Sequence, residues 1–358
     1  MRILFFGTYD ERTHPRVRVL REGLQELGFD VEVCNRPIAL STAERVRIAQ
    51  RPWLAPVLVV KVLAAWTALW RGSRARQPDV VVVGYLGQLD VHLARWRFRR
   101  SVLVLDQMVG LGDTVRDRDV GHGWLGRMLD RIDRAATGRA DVVLVDTTEQ
   151  GRLVQRPRTL VVPVGAPREW FEARRPRSAH TPLRVVFFGL YTPLQGTLVI
   201  ADALRSHPDV PLECTMVGTG QDRGAAQGRL GDDPRVRWLD WVDADELPAL
   251  VASHDVCLGI FGTGDKARRV VPNKVYQGAA AGCAIVTSDT PPQARALEGA
   301  AVLVPPGDPV TLGAALADLA GSPTRTSALR TAAATLADRS FTPAAVAADL
   351  AGRLERTA

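Results

Sequence analysis

The chain has 358 residues, of which 46% are hydrophobic and 24% charged, and its net charge at pH 7 is +7. This length suits two globular domains, and the composition excludes a disordered chain. Aromatic residues make up only 6%, the basic residues form no long run, and we find no nucleic-acid-binding motif. We therefore expect no nucleic acid partner.

The four cysteines lie far apart, in or beside apolar runs, and show no metal-ligand spacing. We therefore expect buried, reduced thiols, a cytoplasmic protein and no structural metal. The first residues, MRILFFGTYD, contain an apolar core too short for a signal peptide.

Two similar segments open the two halves of the chain. RILFFGTYD begins at Arg2 and RVVFFGLYT begins at Arg184. Each is an apolar run followed by a glycine-led loop and a helical pattern, over residues 17–27 in the first case and 198–204 in the second. Two such strand–turn–helix units predict an α/β protein with two doubly wound, Rossmann-like domains and a cleft between them.

The segment 53–76, WLAPVLVVKVLAAWTALWRGSRAR, is apolar for most of its length and ends in basic residues. A helix that spans a bilayer needs about 20 uninterrupted apolar residues, and Lys61 interrupts this run. Two interpretations stay open. The segment is either a buried domain helix or a peripheral contact with an anionic membrane, in which Trp66 and Trp70 enter the lipid.

Continuous β-branched runs predict further parallel strands that are buried on both faces. In the first half they cover residues 31–34, 80–83, 102–105, 142–145 and 160–162. In the second half they cover residues 185–188, 212–217, 236–239, 256–260, 284–287 and 301–304. We predict a first domain over 1–165, a linker rich in Pro and Arg over 166–182, a second domain over 183–340 and a helical tail over 341–358.

Open α/β sheets bind ligands beyond the carboxyl ends of their strands. The loop after the first strand and GTGQDRG after Val217 both lack the glycine spacing of dinucleotide-binding loops, so we expect no nicotinamide or flavin cofactor. The chain also lacks the G-x-x-x-x-G-K-[ST] phosphate loop and the G-x-S-x-G nucleophile motif.

The segment VVPNKVYQGAAAG predicts a helix start suited to an anion. Pro272 suits the first turn of a helix, where free N–H groups and the helix dipole attract negative charge. Lys274 is one of three lysines in a chain whose cations are nearly all arginine, and the preceding loop adds Lys266, Arg268 and Arg269. The pattern predicts a diphosphate site; the alternative is a solvated basic loop that caps a helix.

These segments together resemble the GT-B glycosyltransferases, and most closely the retaining family 4. The resemblance covers nearly the whole chain. Its most specific parts are VVFFGLYTPLQGTLVIADAL, MVGTGQ, VRWLDWVDADELPALVASHDVCL and PNKVYQGAAAGCAIVTSD, and the first half contributes GTYDERTHPRVRVLREGLQELGFDVEV and VVLVDTTEQGRLV. The resemblance implies an acceptor domain, then a nucleotide-sugar donor domain, a final helix that crosses back to the first domain, and catalysis without a bound metal or cofactor.

The chain departs from the family at charged positions around the donor. The family's diphosphate-binding Arg and Lys correspond to Leu190 and Gln195, and its two glutamates correspond to Arg269 and Gln277. Gln277 can still form a hydrogen bond with a ribose hydroxyl. The cations of the 266–274 segment either replace the missing ones or leave donor binding weak.

The resemblance implies further site residues. The donor-binding set is Gly189, Gly218, Trp241, Val242, Lys266, Arg268, Arg269, Asn273, Lys274, Val275 and Gln277. Trp241 is either a stacking platform for the base or a core residue. The acceptor-binding set is Thr8, Tyr9, Arg16, Asp90 and His92, and the catalytic candidates are Asp10, His14 and Asp106. A general base is required only if the enzyme inverts, and the sequence leaves inversion or retention open.

We therefore predict a glycosyltransferase that moves a sugar from a UDP- or GDP-type sugar to a small-molecule or lipid-linked acceptor. Two alternatives stay open: a protein that binds nucleotide or glycan without catalysis, and a GT-B enzyme with epimerase or hydrolase chemistry. The missing cations and carboxylates are the reason for the first alternative.

Overall fold

The protein was analysed as a computed structural model, which describes residues 1–11, 14–38, 55–108, 110–112, 124–154, 158–176 and 179–356. Within these ranges the chain forms two six-stranded parallel sheets with helices packed against them. The predicted fold class, two doubly wound α/β domains, is confirmed.

The first sheet has the strand order β2-β1-β3-β4-β5-β6. Its strands are β1 (Arg2–Gly7), β2 (Asp30–Asn35), β3 (Val80–Val83), β4 (Val102–Asp106), β5 (Val142–Val145) and β6 (Thr159–Val161). The helices around it are α1 (Arg16–Glu26), α2 (Ala55–Gly72), α3 (Asp90–Arg97), α4 (Trp124–Thr137) and α5 (Thr148–Val154). β3 and β5 consist of apolar residues that are buried throughout, as expected of strands covered on both faces.

The second sheet has the order β12-β11-β10-β7-β8-β9. Its strands are β7 (Leu183–Phe188), β8 (Leu212–Val217), β9 (Val236–Leu239), β10 (Val256–Leu258), β11 (Ala284–Ser288) and β12 (Ala301–Val304). The helices of this half are α6 (Arg168–Ala173), α7 (Thr197–Ser206), α8 (Arg223–Leu230), α9 (Leu247–Ala252), α10 (Asn273–Ala280), α11 (Pro291–Leu297), α12 (Pro309–Gly321), α13 (Pro323–Ser340) and α14 (Pro343–Glu355).

The predicted strands agree with the observed ones to within about two residues. β10 ends two residues earlier than predicted, before Gly259, where an added Cβ would lie 2.1 Å from Thr287 Oγ1. The four cysteines are buried free thiols, as predicted.

The segment 166–182, predicted as a linker without regular structure, contains α6. Trp170 on this helix is 3% exposed and stacks on Phe188, with ring centroids 5.5 Å apart. The segment is therefore packed into the core beside β7, and its lack of sequence period reflects a helix of only six residues.

The last helix returns to the first domain. Its apolar residues, among them Val346 and Leu350, join the core formed by β1, β3 and α1. α1 and α14 approach so closely at Gly23 that an added Cβ would lie 2.0 Å from the Pro343 carbonyl oxygen. α13 packs on the second domain, through Ala333 and Leu336.

α2 covers most of the apolar segment 53–76, of which residues 53–54 lie outside the described part of the chain. The Trp66 indole N–H donates a hydrogen bond to Asp90 Oδ1 at 2.8 Å, and Trp70 stacks on Trp96 with centroids 4.2 Å apart. The two tryptophans thus contact protein, and the alternative of a contact with an anionic membrane stays a prediction. The buried-helix interpretation holds for one face only, since Leu69 is fully buried whereas Val60 is 65% exposed. Among the described helices, none combines the length and the apolarity needed to cross a bilayer.

Candidate functional site

The loops after β7 and β8 pack against each other at the carboxyl edge of the second sheet. Gly189 N donates to Val217 O at 3.1 Å, and Tyr191 N donates to Thr219 O at 2.9 Å. A Cβ added at Gly218 would lie 1.9 Å from Gly189 O, and the φ of Gly218 is +121°. Only glycine fits at position 218, because the two loops approach each other there more closely than a Cβ would allow.

α10 begins at the same edge. Pro272 at its cap position supplies no side-chain acceptor for the first amides of the helix. Amides at a helix start without such an acceptor, together with the dipole, favour an anion. The predicted helix start is therefore present, with Asn273 half-buried as its first residue.

The Lys274 side chain runs from this helix start into the space beside the β7 loop. Its Nζ donates a hydrogen bond to Gln195 Oε1 at 2.5 Å and lies 3.7 Å from the centroid of the Phe187 ring. An added Cβ at Gly189 would lie 3.2 Å from the same Nζ. Lys274 therefore joins α10 to the loop after β7, where the chain departs from the family pattern.

Lys274 is only 4% exposed, and it forms no ion pair with a carboxylate of the described residues. Burial lowers the pKa of its amine to about 7. A buried amine without a counter-anion is costly for the fold, and a ligand anion would relieve that cost. The alternative of a solvated capping lysine does not describe this side chain.

The remaining donor-side residues are placed differently. Arg268 is exposed, whereas Lys266 and Arg269 are half-buried. Arg269 Nε donates to Asp265 O at 3.2 Å. Val275 is a core residue with no exposed surface, and its amide donates a hydrogen bond to Pro272 O. Gln277 is also buried, with 8% of its surface exposed.

Trp241 and Val242 follow β9 at the same edge of the sheet. The Trp241 side chain is 71% exposed, so the alternative that it belongs to the core is wrong. Val242 is half-buried and packs against the core beneath α10. The indole is thus free to stack on a flat ligand.

In the first domain, Asp90 anchors the loop after β1. Its Oδ2 accepts hydrogen bonds from both the amide and the hydroxyl of Thr8 at 2.8 Å, and its Oδ1 accepts the one from Trp66. Asp90 is 4% exposed. Burial raises the pKa of its carboxyl group, and the hydrogen bonds from Trp66 and Thr8 lower it by a smaller amount. Asp90, predicted to contact the acceptor, holds the Thr8 loop in place.

The rest of the β1 loop lines the same edge. Tyr9 is 4% exposed, its hydroxyl lacks a partner in the described part of the chain, and burial raises its pKa. The His14 ring packs on the Tyr85 ring with centroids 4.0 Å apart. Asp10 is half-buried and its carbonyl oxygen accepts the His14 amide at 3.1 Å. His92 on α3 is half-buried. Its pKa is lowered mainly by burial and to a smaller extent by the positive charge of Arg139.

Arg16 and Asp106 form a fully buried ion pair. Arg16 Nε donates to Asp106 Oδ1 at 2.8 Å, and its Nη1 donates to Val162 O at 2.8 Å. Burial raises the pKa of Asp106, and the charge of Arg16 opposes that rise. Asp106 was predicted as a candidate base and Arg16 as an acceptor contact, and the structure pairs them with each other.

Asp146 belongs to the same cluster and was not singled out from the sequence. It follows β5 and is 6% exposed, and burial raises its pKa to about 7. Asp146 Oδ1, Asp106 Oδ2 and Arg16 Nη2 have no hydrogen-bond partner among the described residues. Its position could have identified it from the sequence, because an Asp directly after a buried parallel strand lies at the carboxyl edge of the sheet, where ligands bind.

The two domains touch beside this cluster. The Thr147 hydroxyl donates to Arg269 O at 2.6 Å, and Arg295 forms two hydrogen bonds with Glu149 at 2.6 and 2.7 Å. Burial, and then the negative charge of Asp146, raise the pKa of Tyr276 on α10. The β5 loop therefore borders the start of the second domain's donor-side helix. Among the described residues, no group of three or more His, Cys, Asp or Glu side chains is arranged to hold a metal ion.

The second half of the chain matches a known family. Residues 182–322 match the family described as glycosyl transferases group 1. No protein of curated function matches the chain by sequence.

Solved structures match over the whole chain. HepE from Anabaena in complex with UDP has a TM-score of 0.70 at 14% identity, with 99% of this chain and 100% of that chain covered. Sucrose-phosphate synthase from Thermosynechococcus elongatus has a TM-score of 0.72 at 16% identity, with 100% and 98% covered. HepE in complex with UDP-glucose has a TM-score of 0.69 at 14% identity, with 99% and 100% covered. The chain has the GT-B fold.

Proposed function

We propose that this protein is a glycosyltransferase of the GT-B type, related to retaining family 4, that transfers a sugar from a nucleoside-diphosphate sugar to a small-molecule or lipid-linked acceptor. The observation that carries the proposal is the buried Lys274 amine, which lies at the start of α10, beside Gly189, and has no ion-pair partner among the described residues. The match of residues 182–322 to glycosyl transferases group 1 supports it.

Lys274 binds the donor diphosphate together with the first amides of α10. An ammonium and helix-start amides are a suitable combination for phosphate oxygens. The family pattern has a Lys at position 195, and here Gln195 is the residue that Lys274 Nζ contacts. The missing cation is therefore supplied from another element to nearly the same point. Lys266, Arg268 and Arg269 add positive charge from the preceding loop.

The base and ribose bind farther along the carboxyl edge. Trp241 supplies an exposed aromatic face, and the backbone beside Val242 supplies polar groups. Gln277 replaces the usual glutamate as the ribose partner and can both donate and accept a hydrogen bond. HepE, one of the structural neighbours, is known in complex with UDP, so a uridine donor is the first to test.

The acceptor binds at the first domain, beside the Thr8 loop. Its hydroxyl oxygen bonds to the anomeric carbon, the bond from that carbon to the diphosphate breaks, and the nucleoside diphosphate leaves. The released proton passes to Asp10 or His14, or to the leaving diphosphate in a retaining reaction. Asp106 acts by positioning Arg16, since the two side chains are buried against each other.

Lys274 stabilises the charge that develops on the leaving diphosphate. The reaction requires no metal or cofactor in this proposal, because the cation that offsets the phosphate charge is a protein side chain. A cytoplasmic location supplies the nucleotide sugar.

The test is donor binding followed by donor turnover. Calorimetry with UDP and GDP, and with NAD as the control, should show binding of a nucleoside diphosphate only. Incubation with the matching sugar nucleotide and product analysis then separates transfer, hydrolysis and epimerisation from binding without reaction. Absence of both binding and turnover at millimolar nucleotide would contradict the proposal.

A further inference from the structure

Arg223 begins α8 and lies at the carboxyl edge of the second sheet. Its side chain is 13% exposed, and the residue before it, Asp222, forms no side-chain cap with the helix. A cation in the first turn of a helix opposes the helix dipole, so this arginine is unfavourable for α8 itself. Its stabilising contacts therefore lie outside the helix.

The guanidinium joins the carboxyl ends of β8 and β9. Its Nη1 donates hydrogen bonds to the carbonyl oxygens of Gly218 and, at 3.4 Å, Leu239. Its Nη2 forms an ion pair with Asp240 Oδ1 at 2.5 Å. Gly218 directly follows β8, and Leu239 ends β9. One side chain thus holds the ends of two neighbouring strands together.

Two aromatic rings pack against the guanidinium. Its Cζ lies 5.9 Å from the centroid of the Tyr191 ring and 5.7 Å from that of the Trp238 ring. Tyr191 is fully buried in the loop after β7, and its carbonyl oxygen accepts a hydrogen bond from the Asp222 amide at 3.1 Å. Such contacts favour arginine, because its planar cation stacks on rings and donates to several acceptors at once. The loops after β7, β8 and β9 therefore all meet at Arg223.

These loops form the donor side of the candidate site. Gly218 packs so closely on Gly189 that an added Cβ would lie 1.9 Å from the Gly189 oxygen. Asp240, which Arg223 holds, directly precedes Trp241, whose side chain is 71% exposed. The contacts of Arg223 therefore fix the backbone beside the aromatic face proposed for the base.

We infer that Arg223 is a positioning residue for the nucleoside end of the donor, because it holds the loops after β8 and β9 in the arrangement that binds the base. The inference rests on the proposed function and adds what orders its base site. Arg223 acts through Gly218 and Asp240, so it is not a catalytic residue. Without the guanidinium the two loops lose their common anchor, and the donor has to order them when it binds. That ordering weakens binding.

Arg235 provides a matched control in the same sheet. Its Nη1 and Nη2 donate to the carbonyl oxygens of His207 and Leu204, both at 2.8 Å, and Nη2 also bonds to Asp233 Oδ2 at 2.7 Å. Its side chain is 16% exposed, close to the 13% of Arg223. Arg235 directly precedes β9, so it lies at the amino edge of the sheet, away from the candidate site. The two arginines thus form similar contacts at opposite edges.

The experiment compares Arg223→Met with Arg235→Met in the full chain. Met keeps a long side chain and removes the guanidinium. Urea titration gives the stability of each variant, and calorimetry with uridine and with UDP-glucose gives the affinity for the nucleoside and for the whole donor. Guanosine and GDP-glucose replace these ligands if wild type binds GDP and not UDP. If either Met variant does not fold, Arg223→Lys and Arg235→Lys, which keep the charge, take the place of the pair.

Both Met variants should be less stable than wild type, but only one should bind the donor less well. Arg223→Met should bind uridine and UDP-glucose more weakly by the same factor, about fivefold to tenfold, whereas Arg235→Met should keep both affinities. Arg223→Lys should lose about threefold, since an ammonium cannot bond to both carbonyls and Asp240 together. The KM for the donor should rise by the same factor as its Kd, and kcat should stay unchanged, because contacts to the base are equal in the ground and transition states.

Amide hydrogen exchange gives a local readout of the same anchor. Exchange at residues 218–220 and 240–243 should be faster in free Arg223→Met than in wild type, and saturating UDP-glucose should slow it again. Arg235→Met should show wild-type exchange in these two segments.

Three results would overturn the inference. The first is wild-type affinity of Arg223→Met for both ligands. The second is an equal loss in Arg223→Met and Arg235→Met, which would assign both arginines to the fold alone. The third is a loss for UDP-glucose without a loss for uridine, which would assign Arg223 to the diphosphate. Binding of UDP-glucose that Arg223→Met leaves unchanged refutes this inference alone, whereas the expected losses without any donor turnover refute the proposed function alone.

Discussion

Replacing Lys274 by Met tests the donor site most directly. Met preserves most of the side-chain volume beside the Phe187 ring and removes only the amine. We expect the variant to fold, because the amine forms no ion pair with a described residue and burial, which lowers its pKa to about 7, makes its charged form costly. Lys61→Met, at an exposed lysine on α2, is the matched control.

The expected loss follows from one charge-assisted hydrogen bond. Such a bond to phosphate contributes roughly 1.5–3 kcal/mol, so donor affinity at pH 6 should fall about tenfold to a hundredfold. Free nucleoside should bind wild type and variant equally, since it lacks the diphosphate. Lys274→Arg should recover only part of the loss, because a planar guanidinium does not fit beside Gly189 as an ammonium does.

The pH dependence gives a second readout of the same contact. The pKa of Lys274 is lowered to about 7 in the free protein, and a bound diphosphate should raise it again. Donor binding therefore takes up a proton above pH 7, and at pH 9 that uptake costs about 2.7 kcal/mol. Affinity of the wild type should fall from pH 6 to pH 9, and that of Lys274→Met should stay flat.

The assay is isothermal calorimetry with UDP-glucose and with uridine at pH 6, 7.5 and 9. UDP-glucose suits it because both phosphates are diesters and do not titrate in this range. Equal losses for UDP-glucose and uridine would show that Lys274 shapes the pocket without holding phosphate. No loss for either ligand would refute the role of the amine.

Three further predictions concern other parts of the site and fold. Gly218→Ala should lower the unfolding free energy by about 2 kcal/mol and weaken donor binding, because its Cβ would overlap Gly189 O. The control is Gly224→Ala, whose Cβ would meet open space. In the same urea titration it should keep or raise the unfolding free energy. Burial raises the pKa of Asp146 to about 7, so the native state binds the extra proton between pH 4 and 7 and the unfolding free energy falls as pH rises through that window. Asp146→Asn should remove this pH dependence and should have a higher unfolding free energy than wild type at pH 8. If urea titrations show the same pH dependence of the unfolding free energy in both proteins, the prediction is wrong. Gly23→Ala should release α14 from α1 because its Cβ would lie 2.0 Å from a backbone oxygen of α14, and faster amide hydrogen exchange in α14 would show this.

The sequence predicts the fold well because both sheets are parallel. Strands buried on both faces must be continuous apolar runs, so β3 and β5 are visible as runs of Val and Leu without any alignment. The structure of segment 166–182 was harder to predict, since the six residues of α6 are too few to show a helical period. The position of this helix depends on the packing of Trp170 against Phe188, which lies in another element.

The site was only partly predictable. Lys274 was recognisable as an unusual residue at a helix start, because composition and capping are local properties. Its contact with Gln195, 79 positions away, depends on two strands being neighbours in the sheet. The pairing of Arg16 with Asp106 and the burial of Asp146 likewise depend on strands far apart in sequence.

By itself the sequence determined which segments form strands and helices, that the chain has two similar halves, and that a lysine stands at the start of α10. Those properties follow from side-chain periodicity and from residues close together along the chain. Only the tertiary structure decided that Trp66 contacts Asp90, that Val60 on α2 remains exposed, and that Lys274 is buried without an ion-pair partner among the described residues. Burial and electrostatic environment are set by groups from distant segments, and no local pattern records them.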